Sequence, residues 1–298
     1  MLLGLIAYLS IFLFVGISAY KAYQFAKMPL HGRMELYPVP KEKGHEYGGS
    51  YYEEVEWWNK ERHVSHGTEL IEMLKEMLFI KKLFDNQRPL WWISYALHLG
   101  IYFLMAWTLL LVVGAVTLLG GGQVSASSGV WGSLVFYLTA FTGLVGLILA
   151  TFGSGMLLLR RLFDDTLRKY TTPQEYFNLA LLYFAVVTGI FVWVSDLSFD
   201  SAREITANLL TFTPFEASGL FVLHLILLFI MFTYIPLSKM SHYVGKYFTF
   251  HKVLWENDPN LKGSEIEKKI QQATSYRPAN SWSAPHITGQ YPQKNKET

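Results

Sequence analysis

Five long apolar runs, at roughly 2–20, 90–118, 130–158, 178–197 and 217–238, alternate with polar segments along the chain. Each is near or above the twenty or so residues that a helix needs to cross a bilayer core. The pattern predicts an all-α integral membrane bundle of five transmembrane helices. The second and third runs exceed one bilayer thickness, so they tilt or protrude.

The polar segments divide the chain into a first spanning helix at 1–23, a loop at 24–89, a four-helix membrane region at 90–240 and a C-terminal arm at 241–298. The first loop opens with Pro29, Pro38, Pro40 and the turn Gly48-Gly49-Ser50, which lack the periodicity of a folded domain. Later in it, Leu70, Ile71, Leu74, Met77, Leu78 and Phe84 recur at helical spacing, with Thr68 placed to cap. This predicts an amphipathic helix lying at the membrane interface or packed on a soluble partner. Residues 119–129 read as an uncharged hairpin, and 201–212 as a short helix across one mouth of the bundle. Pro278, Pro285 and Pro292 mark the end of the chain as an extended arm.

Charge placement orients the bundle. Eleven Lys and Arg residues lie between the first and second runs, four follow the third, and nine lie from Lys239 onward. The other two loops carry Arg203 alone. The positive-inside bias therefore predicts an N-terminus outside and a cytoplasmic C-terminus, in the cell membrane. The first run has no basic residue before its apolar stretch and reads as a retained anchor, not a cleaved signal. Cysteine is absent, which excludes disulfides, thiolate iron–sulfur ligation and covalent c-type haem attachment in this chain. The formal net charge of +2 carries little information about partners, and no nucleic-acid partner is expected.

Against this background the histidines stand out. His224 and His242 are eighteen residues apart at the ends of one apolar run. On one continuous helix they would leave the same face about 27 Å apart. His98 lies inside the second run. An ionisable side chain within a spanning helix points to a functional site, because burying it in hydrocarbon is costly. Haem iron in an electron-transfer cytochrome takes two axial donors from different helices. His98 and His242 fall in the same, cytoplasmic half and form the expected bis-histidine pair around a haem b. His224 belongs to the outer half as a further candidate ligand for a second haem, with Met105 as a candidate partner. Arg88, Arg160, Arg161, Lys239 and Lys246 cluster at cytoplasmic helix ends, where haem propionates need cations. The positive-inside rule accounts for the same cations. His31, His45, His63, His66, His251 and His286 lie in polar segments and read as solvated. The middle of each crossing is free of carboxylates, which argues against an ion-coupled transporter.

These features resemble the cytochrome b membrane subunits of respiratory nitrate reductases, the gamma-subunit family. The His224–His242 spacing, Leu97-His98-Leu99-Gly100, and the connection Leu158-Leu159-Arg160-Arg161-Leu162-Phe163 with Arg168, Thr171 and Thr172 carry the resemblance over about residues 90–248. Glu46-Tyr-Gly-Gly-Ser-Tyr51, Glu54-Val-Glu-Trp-Trp58, His98-Leu-Gly-Ile-Tyr102, Lys239-Met-Ser-His242, Lys246-Tyr-Phe, His251-Lys-Val and Trp255 look more like the DsrM-type cytochrome b of the sulfate-reducer membrane redox complex. That resemblance implies a haem b subunit linked to menaquinone. It implies electron exchange with a cytoplasmic iron–sulfur subunit related to heterodisulfide reductase, and further membrane and periplasmic partners. The chain departs from the nitrate-reductase pattern where those relatives carry a second histidine, ten residues after the first; here that residue is Thr108. The competing expectation is a non-redox membrane protein, either a transporter or an assembly anchor.

Overall fold

The computed structural model of the chain describes residues 2–27, 55–56, 59, 66–217, 219–249 and 262–275. His31, His45, His63, His251 and His286 lie outside them, as do the segments 46–51 and Trp255 and most of 54–58. Among the described residues all regular structure is helical. Five helices are long and apolar enough to cross a membrane: α1 (Leu2–Lys27), α4 (Arg88–Leu119), α5 (Val130–Phe163), α7 (Pro173–Ser195) and the run Gly219–Leu237 that begins as α9 (Gly219–Tyr234). The shorter helices are α2 (His66–Phe79), α3 (Lys81–Asn86), α6 (Asp165–Tyr170), α8 (Asp200–Leu210), α10 (His242–Thr249) and α11 (Glu265–Thr274).

Local chemistry sets the boundaries. Asp164 accepts from the backbone N–H groups of Thr166 and Leu167, both at 3.0 Å, and caps α6. Pro173 opens α7, where its missing N–H costs nothing, and Glu175 reaches back to the Thr172 N–H at 2.7 Å. The amphipathic segment predicted from Thr68 to Phe84 is two helices, because Ile80 adopts a left-handed backbone with φ 52°. It starts at His66, so Thr68 lies inside the first turn.

Each spanning helix packs on the next in the order α4, α5, α7, α9, α1. α4 and α5 are the most closely joined. The pairs Leu97–Gly153, Gly100–Ala150, Leu104–Gly146 and Trp107–Gly143 face one another in one antiparallel register, and a Cβ added to any of these four glycines would meet its partner at 3.0 Å or less. Small residues at alternating spacings of four and three along α5 let the two backbones approach, as is usual where lipid supplies no hydrophobic drive for association. Leu97, Ala150, Leu157 and Val186 form the buried core beside them.

The fifth crossing departs from the sequence expectation. His224 and His242 do not share a continuous helix, because α9 ends at Tyr234 and Ile235–Leu237 and Lys239–Ser241 are separate 3-10 turns. Pro236 cannot donate to the helical ladder, and its ring crowds the carbonyl four residues back. Ser238 is extended, with ψ −178°, and its Oγ accepts from the Met240 N–H at 3.1 Å. His242 therefore opens the separate short helix α10.

Candidate functional site

The structure brings His98 and His242 together. Their ring centroids are 6.2 Å apart, with the planes inclined by 63°. His98 is half-buried on α4, and His242 is on the exposed side of α10. His98 Nδ1 donates to the Ser94 carbonyl at 2.7 Å, and His242 Nδ1 donates to that of Lys239 at 3.3 Å. With Nδ1 protonated, each ring keeps its lone pair on Nε2, the tautomer that a metal-ligating histidine needs. A ligating imidazole nitrogen lies about 2 Å from its metal and the ring centre about 1 Å further back, so rings gripping one ion from opposite sides have centres about 6 Å apart. The observed separation fits haem iron. No cluster of three or more His, Asp and Glu side chains competes for a metal among the described residues.

His224 lies elsewhere, on α9 against α7. Its Nδ1 is 3.1 Å from Thr188 Oγ1, and Thr188 in turn donates to the Phe184 and Ala185 carbonyls, each at 2.9 Å. A Cβ on Gly189 would sit 3.1 Å from the His224 ring, so the glycine makes room for it. The candidate partner Met105 and the residue Thr108 both lie on α4. Met105 is 61% exposed. Thr108 is exposed and its hydroxyl donates to the Leu104 carbonyl within α4 at 2.9 Å.

The cations proposed for propionates each have a local contact. Arg160 pairs with Asp164 at 3.5 Å, and Arg161 donates to Thr171 at 3.2 Å. Lys239 lies 3.8 Å from Glu175, and the Arg88 guanidinium stacks 4.2 Å above the Phe84 ring. Lys246 pairs with Glu76 of α2 at 2.7 Å.

The sequence reading missed two parts of the site. One is the small-residue stripe Thr139, Gly143, Gly146, Ala150 and Gly153 on α5, whose 4-3-4-3 spacing was a visible signal. It draws α5 against the turn of α4 that carries His98. The other is the seat of α10, built from α1 and α2. Tyr243 and Ser18 hydroxyls are 2.5 Å apart, Lys21 donates to Ser241 Oγ at 2.8 Å, and Phe25 stacks on Phe248. At the other end of the bundle, α7, α8 and α9 enclose an open groove of about 610 Å³ lined by Ser195, Glu204, Asn208, Glu216 and Phe221. The groove reaches only the first turn of α9, and the rest of that helix, about 20 Å, separates it from the His98–His242 pair.

Five spans, with two histidines on separate helices and their rings 6.2 Å apart, define a multi-pass membrane protein. The chain belongs to the nitrate reductase gamma subunit family, whose family model matches residues 82–253. That stretch contains His98, His224 and His242 and excludes α1 and α2. No curated protein and no solved structure matches the chain significantly.

Proposed function

We propose that the chain is the haem b membrane subunit of a respiratory complex in the cell membrane. In this reading it carries electrons between menaquinone and a cytoplasmic iron–sulfur subunit in dissimilatory sulfur metabolism. The observation that carries the proposal is the 6.2 Å separation of the His98 and His242 rings, each with Nε2 left to ligate. Membership of the nitrate reductase gamma subunit family supports it. The DsrM-like residues described above support the finer assignment to a sulfate-reducer complex with additional membrane and periplasmic subunits.

Haem b held by His98 and His242 supplies one-electron chemistry, which a quinone needs because it exchanges its two electrons singly with iron centres. The chain's own part is to fix both imidazoles, which lowers the reorganisation that accompanies electron transfer. Arg160 and Arg161 end α5 on the polar side and are the proposed partners of the carboxylate edge of the group. A single haem at this depth places the quinone reaction in the cytoplasmic half. His224, with no second donor at Thr108, stays outside the ligand pair.

The test is reduction of the purified, haem-loaded chain by a water-soluble menaquinol analogue. Reduction should appear as a b-type band and be absent in His98→Ala. A haem band that dithionite reduces and the quinol analogue leaves oxidised would refute the quinone link.

A further inference from the structure

His242 does not sit on a long spanning helix, so something other than that helix must hold it in place. α10 is eight residues long and follows two 3-10 turns. Its position therefore depends on what it touches. Lys246, one turn beyond His242 and on the same side of α10, pairs with Glu76 Oε1 at 2.7 Å. The Glu76 side chain is only 5% exposed. Its second oxygen, Oε2, accepts from the Lys82 backbone N–H at 2.9 Å, in the first turn of α3. α3 leads through Gln87 straight into α4, which carries His98. One turn past His98, Tyr102 donates its hydroxyl to the Met77 carbonyl of α2 at 2.7 Å.

We propose that Glu76 is a positioning residue for the axial ligands: one buried carboxylate ties the α10 segment bearing His242 to the α3–α4 segment bearing His98. This rests on the haem reading above. α2 acts as a brace across the two ligand arms, and it comes from a part of the chain outside residues 82–253. A carboxylate is suited to the task because it has two acceptor oxygens at a fixed separation, and each is used on a different segment. The carboxylate is shielded from water although Lys246 is 37% exposed, so the bond is screened less than a pair with both partners on an open surface.

The experiment uses the full haem-loaded chain in detergent, with Glu76→Gln, Lys246→Gln, Lys246→Arg and the Glu76→Gln/Lys246→Gln double variant. Paramagnetic resonance of the low-spin ferric haem reads the ligand geometry. A potentiometric titration reads the balance of the two redox states. Both glutamine variants should move the largest g value in the same direction. Each should change the reduced-to-oxidised ratio at the wild-type midpoint about threefold or more. Lys246→Arg should match the wild type, and the double variant should go no further than either single one. Unchanged spectra and ratios in both glutamine variants overturn the proposal. Opposite shifts that cancel in the double variant also overturn it, since that is what two independent point charges would give.

A second measurement needs no haem. The chain has no cysteine, so Leu78→Cys and Tyr247→Cys can carry a pair of spin labels reporting on α2 and α10. A narrow distance distribution should broaden in Glu76→Gln and in Lys246→Gln. A distribution that stays narrow in both overturns the brace. A wild-type chain that takes up no haem yet shows the narrow distribution and its broadening would sink the haem reading and leave the brace standing.

Discussion

Gly153 of α5 faces the backbone nitrogen of Leu97 so closely that any Cβ there would clash with it. Leu97 is the residue before His98, so the depth and rotation of the first imidazole are set by a glycine on another helix. Gly100 does the same one turn on, against the backbone of Ala150. Gly153→Val should push α4 from α5 at a cost of about 1–3 kcal/mol, the usual range for overpacking a close contact. It should lower the haem-to-protein ratio of the purified chain. Gly16→Val, on α1 where nothing lies within 4 Å of the added carbon, should leave that ratio unchanged.

His224→Ala should leave haem content at one per chain, because His224 is seated on Thr188 and Gly189, apart from the His98–His242 pair. Pyridine haemochrome analysis against protein concentration checks this. Two haems in the wild type, falling to one in the variant, would return His224 to the ligand set.

The α2–α3 corner should be sensitive to acid. Burial pushes the Glu72 carboxyl up, but hydrogen bonds from Lys75 and Lys81, at 2.6 and 2.9 Å, together with their charges, outweigh it and hold the group below the usual carboxylate range. The Glu72 hydrogen bond in turn raises the Lys81 ammonium, against the opposing effect of its burial. A lowered carboxylate stabilises the fold above its unfolded value of about 4.3, and that contribution is lost as pH falls through the folded value. A raised lysine contributes below about 10.4 and is lost as pH rises through its folded value. The protection of amides in residues 66–86, taken relative to their intrinsic exchange rates, should fall on acidification below about pH 4.3. Lys81→Met should bring the folded carboxyl closer to its unfolded value and so reduce that acid-induced loss; a loss as large as in the wild type would contradict the assignment.

Orientation is open to a direct check. If the positive-inside reading holds, a reporter active only outside the cytoplasm should work when fused before α1, and one active only in the cytoplasm should work after α11. The reverse pattern would place the His98–His242 pair in the outer half.

Much of this architecture was legible in the sequence. Five apolar runs gave five spanning helices within a few residues of their expected ends, except that α1 runs seven residues longer, α5 ends five residues later and α7 starts five residues earlier, and the short helix expected at 201–212 is α8. That His98 and His242 lie in the same half of the bundle was also legible, and their rings are 6.2 Å apart. What the hydropathy pattern hid was the break at Pro236. An apolar run reads as one helix by composition, while the missing N–H of a single residue ends it and hands His242 to α10. The split at Ile80 was equally invisible, since a β-branched residue is one that local sequence does not assign to a left-handed backbone. The Glu76–Lys246 pair joins residues 170 apart, and no local spacing reveals it.

The most direct test of the central claim is the visible and paramagnetic resonance spectrum of the purified chain, expressed with haem supplied, beside His98→Ala and His242→Ala. The account predicts a reducible, low-spin, six-coordinate b-type haem in the wild type. It also predicts loss of that low-spin species in each variant. A wild-type chain without a haem band, or variants that keep the same low-spin spectrum, would contradict it.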